Sequence, residues 1–281
     1  MSFVLLAGCQ KDDNVKVPDV TKIPLPLLTK DRTASLIISS ETPDAFSAKF
    51  RVGLFYPGGE QPAKFDIVIR KNEDNAVVKT FKTDITTFPS DVAVTGVQLR
   101  QLFGAISLGD IFDFGVDVTT TEGKKYLAFP TLGVQYGTNV ANIAGSRPFV
   151  RYEAVCPFKI ADYGAIGTTV LYTVEADGWN DYAKGTTIPV TIIDATHLSF
   201  FYPTDTNVKP IVITVNPADN STSVAKVAFG GYGDDFIYSA VSVDESISNA
   251  VYPCKLTISV NLAFSSSAGN YTPGVITLKK K

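Results

Sequence analysis

Few side chains in this 281-residue chain could do chemistry: one Trp, one His, three Cys, and a handful of Asp residues beside aromatic ones. Trp179-Asn180-Asp181-Tyr182 sets two aromatic rings next to an amide and a carboxylate. Tyr232 and Asp234 repeat the combination inside Gly230-Gly231-Tyr232-Gly233-Asp234-Asp235. Flat aromatic faces cover the apolar faces of sugar rings, and nearby amides and carboxylates receive the hydroxyls. These six residues are therefore the candidate ligand-binding set. A structural reading stands beside it, in which Trp179 and Tyr182 cap a core at a barrel mouth.

Catalysis finds little to work with. A Ser-His-Asp site would have to use His197, the only His, and no G-x-S-x-G turn accompanies it. A carboxylate pair is the one enzyme option left; Asp234 and Asp235 are adjacent, and neighbours on a strand point to opposite faces, although in a turn they could converge. Nucleotide-cradling glycine loops are missing, and zinc would lack ligands. The expectation is a protein that is not an enzyme and holds no cofactor. Calcium is the one ion left open, because Asp177, Asn180 and Asp181 in one turn and Asp234 with Asp235 in another offer hard oxygen ligands. Such residues are also ordinary turn formers. With 25 Lys and Arg against 28 Asp and Glu, the net charge of −3 gives no electrostatic grip on nucleic acid.

The elements that must position these residues read as strands. Phe65, Ile67 and Ile69 alternate with Lys64, Asp66, Val68 and Arg70, and Phe112, Phe114, Val116 and Val118 with Asp113, Gly115, Asp117 and Thr119, which predicts one face in the core and one in water. Period two recurs at Val170–Val174, Ile188–Ile192, Leu198–Tyr202, Ile211–Val215 and Leu256–Phe264, with turn residues between. One helix interrupts. Thr95-Gly96-Val97-Gln98 is a capping box, Val94 and Leu99 occupy staple positions, and Gly104 or Gly109 ends the helix. The fold class is all-β with two domains. A sandwich is predicted over residues 27–135, a break at 136–148, and a second β-sandwich or calycin-like barrel over 149–281.

At the amino terminus, Leu6-Ala7-Gly8-Cys9 has the small-residue pattern that precedes the modified cysteine of bacterial lipoproteins. Cys9 is then a lipid attachment point, 1–8 a signal remnant, and 9–26, with Pro18, Pro24 and Pro26, an extended tether. Only eight residues precede Cys9, fewer than a full signal, so a longer precursor is expected. Lipidation of Cys9 leaves Cys156 and Cys254 as an even pair, either bridged or two buried thiols, and the expectation is a disulfide inside the second domain.

The run Cys9-Gln10-Lys11-Asp12-Asp13 resembles the acidic signal that sends Bacteroidota-type lipoproteins to the outer face of the outer membrane. The order Lys64–Ile69, Thr95–Phe103 and Gly109–Val118 resembles the N-terminal immunoglobulin/fibronectin-type module of SusE-like outer-membrane lipoproteins. Gly178–Tyr182, Leu198–Pro203 and Gly230–Asp235 are similar to C-terminal β-domains of uncharacterised lipoproteins from the same bacteria. These resemblances imply a cell-surface, lipid-anchored protein that binds glycan or another extracellular ligand for an outer-membrane nutrient transporter. The alternative is a structural or adhesion protein that contacts another protein.

Overall fold

The computed structural model describes residues 23–136 and 143–281. The expected lipid attachment at Cys9, and most of the tether, lie outside these residues.

The first unit is a β-sandwich. Its smaller sheet has the order β1 (Pro26–Lys30), β3 (Ser47–Leu54), β6 (Ser90–Thr95), all antiparallel. The facing sheet runs β2 (Ile38–Ser39), β9 (Phe149–Val155), β7 (Ile111–Thr120), β4 (Pro62–Lys71), β5 (Val78–Ile85), with the short β8 (Lys125–Tyr126) beside β7. The alternating apolar residues of both sheets meet in one core, where Phe50 of β3 packs on Phe114 of β7 with ring centroids 5.3 Å apart.

Both edges of this unit differ from expectation. Pro24, Leu25 and Pro26 are buried, so the chain joins the core before residue 27 instead of ending a tether at 26. Phe149–Val155, expected to open the second domain, pairs antiparallel with β7 and sends Val150, Tyr152 and Ala154 into the sandwich core. The first unit therefore extends to Val155.

The helix forms where its local signals place it. The helix α1 (Gly96–Phe103) starts at Thr95, whose side chain accepts from the Gln98 backbone N–H while the Gln98 side chain accepts from Thr95 N–H. Leu99 is buried, and Gly104 closes the helix.

The polar face of β7 is not in water. Asp113 is fully buried, held by Arg70 at 2.7 Å and by Arg151 at 2.7 Å. Asp117 accepts from Ala128 N–H and faces Lys125 at 3.2 Å. Chain running from β8 through Pro130 covers this face, and Gly115 makes room for it. A Cβ at Gly115 would lie 2.7 Å from the Ala128 methyl and 2.9 Å from the Phe129 ring.

The second unit settles the choice between sandwich and barrel. Eight strands close a ring in the order β10 (Thr169–Asp177), β11 (Thr187–Ile192), β12 (His197–Phe200), β14 (Ile211–Asn216), β15 (Ser221–Ser223), β18 (Ala250–Tyr252), β19 (Thr257–Ser266), β21 (Gly274–Lys280), and β21 pairs back onto β10. Closure removes the free edges an open sandwich would leave. At one end β13 (Thr206–Asn207), β16 (Val227–Gly231) and β17 (Tyr238–Ser242) extend the wall, with β17 paired to the Leu262–Ser265 half of β19. The short β20 (Gly269–Asn270) folds back on the end of β19.

The bridge Cys156–Cys254 is formed, with Cα atoms 5.7 Å apart. Its place differs from expectation. Cys156 directly follows β9, so the bond ties the exit of the sandwich to the barrel, whose short α2 (Ile160–Tyr163) follows. Asn220 adds a hydrogen bond to the Cys156 carbonyl, and Lys159 pairs with Glu41 across the same junction.

Candidate functional site

The mouth of the barrel is organised by one buried carboxylate. Asp177 ends β10, where the chain must turn out of the wall, and accepts hydrogen bonds from Trp179 N–H (3.1 Å), Tyr182 N–H (2.9 Å) and the Tyr202 hydroxyl (2.8 Å). Asn180 takes the left-handed conformation (φ 62°) that this turn needs and stands exposed. The loop 178–182 is thereby folded over the barrel end.

Trp179 plugs that end. Its ring stacks on Phe264 at 3.6 Å with 13° between planes, and its indole N–H donates to the Thr272 carbonyl. It also lies flat on Gly274, where a Cβ would come within 2.9–3.1 Å of three indole carbons. Tyr182 donates its hydroxyl to the Phe201 carbonyl at 2.6 Å and packs edge-on against Tyr202. These two rings cap the core, and little of the Trp179 face is left for a ligand. Below them Tyr202, Phe229 and Phe264 pack mutually with centroids 4.7–5.5 Å apart.

Above the plug lies a cavity of about 320 Å3 lined by Trp179, Asp181, Tyr232, Phe264, Tyr238 and Tyr271. The last two escaped the sequence reading. Tyr232 meets Tyr238 edge-on at 5.0 Å, and Tyr238 is tilted on Tyr271 at 5.6 Å. Each ring is steered by a polar partner. Tyr232 donates to Asp181 at 2.9 Å, Tyr238 donates to Asp234 at 2.5 Å, and the Tyr271 hydroxyl lies 3.2 Å from the Ser266 hydroxyl. Of the predicted set, Trp179, Asp181 and Tyr232 line the cavity, Asp234 reaches it through Tyr238, and Asn180 and Tyr182 do not line it.

No protein-family model, curated protein or solved structure matches this chain. The chemistry of the mouth must therefore be read from its own geometry.

Tyr182, Tyr232 and Tyr238 are held as neutral phenols. Burial raises the Tyr232 phenol first, and its bond to Asp181 adds to that. The Asp234 bond raises Tyr238, with Tyr271 next, and Tyr238 in turn holds the Asp234 carboxyl below its ordinary value. Burial, then Asp177, pushes Tyr182 up to about 12. Such a site presents aromatic faces, hydroxyls and carboxylates, and can receive a ring-shaped polar ligand with apolar faces.

The calcium set is not assembled into one nest. Both oxygens of Asp177 are occupied by hydrogen-bond donors, and Asp181 and Asp234 are each engaged by a tyrosine. Among the described residues no group of three or more His, Cys, Asp or Glu gathers around a common point. Asp235 sits at the tip of the outer hairpin in a left-handed conformation (φ 61°). His197 lies at the other end of β12 from Tyr202. There Asp194 accepts from its backbone N–H (2.9 Å), its ring Nδ1 (2.8 Å) and Thr196 N–H (2.8 Å), a self-contained turn lock.

Proposed function

We propose that this chain is a non-catalytic surface lipoprotein whose barrel mouth binds glycan for an outer-membrane nutrient-uptake system. The observation that carries the reading is the cavity above Trp179, where three tyrosine rings stand beside carboxylates that can receive sugar hydroxyls. The resemblance to SusE-like lipoproteins and the Leu6–Cys9 pattern support the location. In this reading Cys9 carries the lipid, and the sandwich, fastened to the barrel by Cys156–Cys254, holds the mouth away from the membrane.

The test is a polysaccharide screen on the full chain, read by gel retardation and by Trp179 emission. A bound glycan shifts the emission, because Trp179 forms the cavity floor. Tyr238→Ala and Tyr271→Ala should each abolish that response. Retention of the protein in membranes after Cys9→Ala would overturn the anchor.

A protein-contact role draws on a different observation: Val208, Phe236 and Ile237 stand exposed on or beside the outer hairpin β16–β17. Negative results across the screen, with Phe236→Ser releasing a bound protein, would favour it.

A further inference from the structure

The barrel is electrically lopsided. Residues 156–281 contain 8 Lys and 11 Asp and Glu, whereas residues 1–155 contain 17 of each sign, so the whole excess of negative charge belongs to the barrel. Strand direction shows where it goes. Gly274, at the start of β21, lies under Trp179 at the mouth, and Lys280, at its end, bonds through its backbone to Leu256 and through its Nζ to Asp162 at the opposite end. Lys279, Lys280, Lys281 and Lys255 thus sit away from the mouth. Around the mouth stand the exposed Asp181, Asp205, Asp234 and Asp235, with Lys184 and Lys209 the lysines of the neighbouring loops.

These four carboxylates have no Lys or Arg nitrogen within 4.0 Å among the described residues. In the sandwich, by contrast, the acids on or beside the central strands β4 and β7, Asp66, Asp84, Asp110, Asp113 and Asp117, are each paired with a Lys or Arg. At the mouth, Asp181 and Asp234 each spend one oxygen on a tyrosine hydroxyl and keep accepting capacity for a ligand. Uncompensated carboxylates beside aromatic faces favour a cation twice, by charge-assisted hydrogen bonding and by attraction to the ring faces. An anion would meet the same groups as repulsion.

We infer that the mouth selects saccharides bearing a free, protonated amino group over neutral ones and rejects acidic ones, with Asp181 and Asp234 as the residues that set this preference. The inference rests on the glycan reading above and gives it a substrate class. The test is calorimetric titration of the full chain, at mildly acidic pH, with equal-length oligomers of glucosamine, N-acetylglucosamine and galacturonic acid.

The glucosamine oligomer should bind about tenfold more tightly than the acetylated one, as one charge-assisted bond would give. The galacturonic acid oligomer should not bind. In Asp181→Asn/Asp234→Asn, which keeps an acceptor for each tyrosine, the ratio should fall to about one, and salt should reduce it in the parent chain. A ratio of one in the parent, or an unchanged ratio in the double variant, overturns the charge selection while leaving glycan binding standing. Failure of all three oligomers to bind overturns the glycan reading itself. Oligolysine binding as tightly as the glucosamine oligomer overturns the saccharide assignment.

Discussion

Replacing Asp177 by Ala tests the construction of the mouth most directly. The change leaves three donors without their acceptor: Trp179 N–H, Tyr182 N–H and the Tyr202 hydroxyl. They are not equal. Tyr202 is 1% exposed, so its hydroxyl is stranded away from water, at about 1–3 kcal/mol. The two loop amides are on half-exposed residues and can turn to solvent, so each loses about 0.5–1 kcal/mol. The expected destabilisation is about 2–5 kcal/mol. Asp177→Asn keeps one acceptor oxygen and should cost about half as much. The assay is urea unfolding followed by Trp179 emission, which reports on the barrel because the chain has a single Trp. Tyr202→Phe completes the cycle: it removes the stranded hydroxyl, so the double variant should be about 1–2 kcal/mol less unstable than the sum of the singles. A loss below about 0.5 kcal/mol for Asp177→Ala, or strict additivity in the cycle, would refute the idea that this carboxylate organises the mouth.

Three further outcomes follow from other parts of the fold. Asp113→Asn should destabilise the sandwich by about 3 kcal/mol, since it leaves Arg70 and Arg151 facing each other across a buried position; near-ultraviolet dichroism of the tyrosines during urea unfolding would measure it. Loss of the Cys156–Cys254 bond in a Cys156→Ser/Cys254→Ser variant releases a chain loop of 98 residues, with a cost up to about 4.7 kcal/mol on chain entropy. Thiol titration of the unfolded parent should find none beyond Cys9. Asp194 is held down to about 2, first by Thr196 N–H and then by His197, from an ordinary 3.8. Its folded value is depressed, so its contribution is complete above about pH 4 and disappears as pH falls to about 2. Asp194→Asn should flatten barrel stability across that window, and an unchanged acid profile would count against the turn lock.

Legibility in the sequence followed the range of the interactions. The helix was readable because its capping box spans four consecutive residues, Thr95 to Gln98, and needs no distant partner. The strands of both units were readable because period two is local, and the choice between sandwich and barrel was not, because it depends on β21 closing onto β10 across about a hundred residues. Asp113 illustrates the limit. On alternation alone it faces water, and it is buried because Arg70 and Arg151, 43 and 38 residues away, arrive on flanking strands to neutralise it. The misplaced start of the second unit has the same origin: Phe149–Val155 carries an ordinary strand pattern, and only its pairing to β7 reveals which sheet it serves.

At the mouth the same rule separates found from missed. Trp179, Asp181, Tyr232 and Asp234 stood out because each has an aromatic or acidic neighbour within two residues. Tyr238 lies four residues beyond Asp234, a spacing that brings their side chains together only once the outer hairpin has turned, and Tyr271 carries no local signal at all. The aromatic residue most visible in sequence, Trp179, turned out to be spent on the core, stacked on Phe264 and lying on Gly274. The other rings facing the cavity, Tyr232, Tyr238 and Tyr271, come from the outer hairpin and the loop after β20, steered by hydroxyl bonds to Asp181, Asp234 and Ser266. A cavity built this way depends on barrel closure before it exists, so variants that open β10 from β21 should lose the proposed glycan binding together with Trp179 burial, even though no residue lining the cavity has changed.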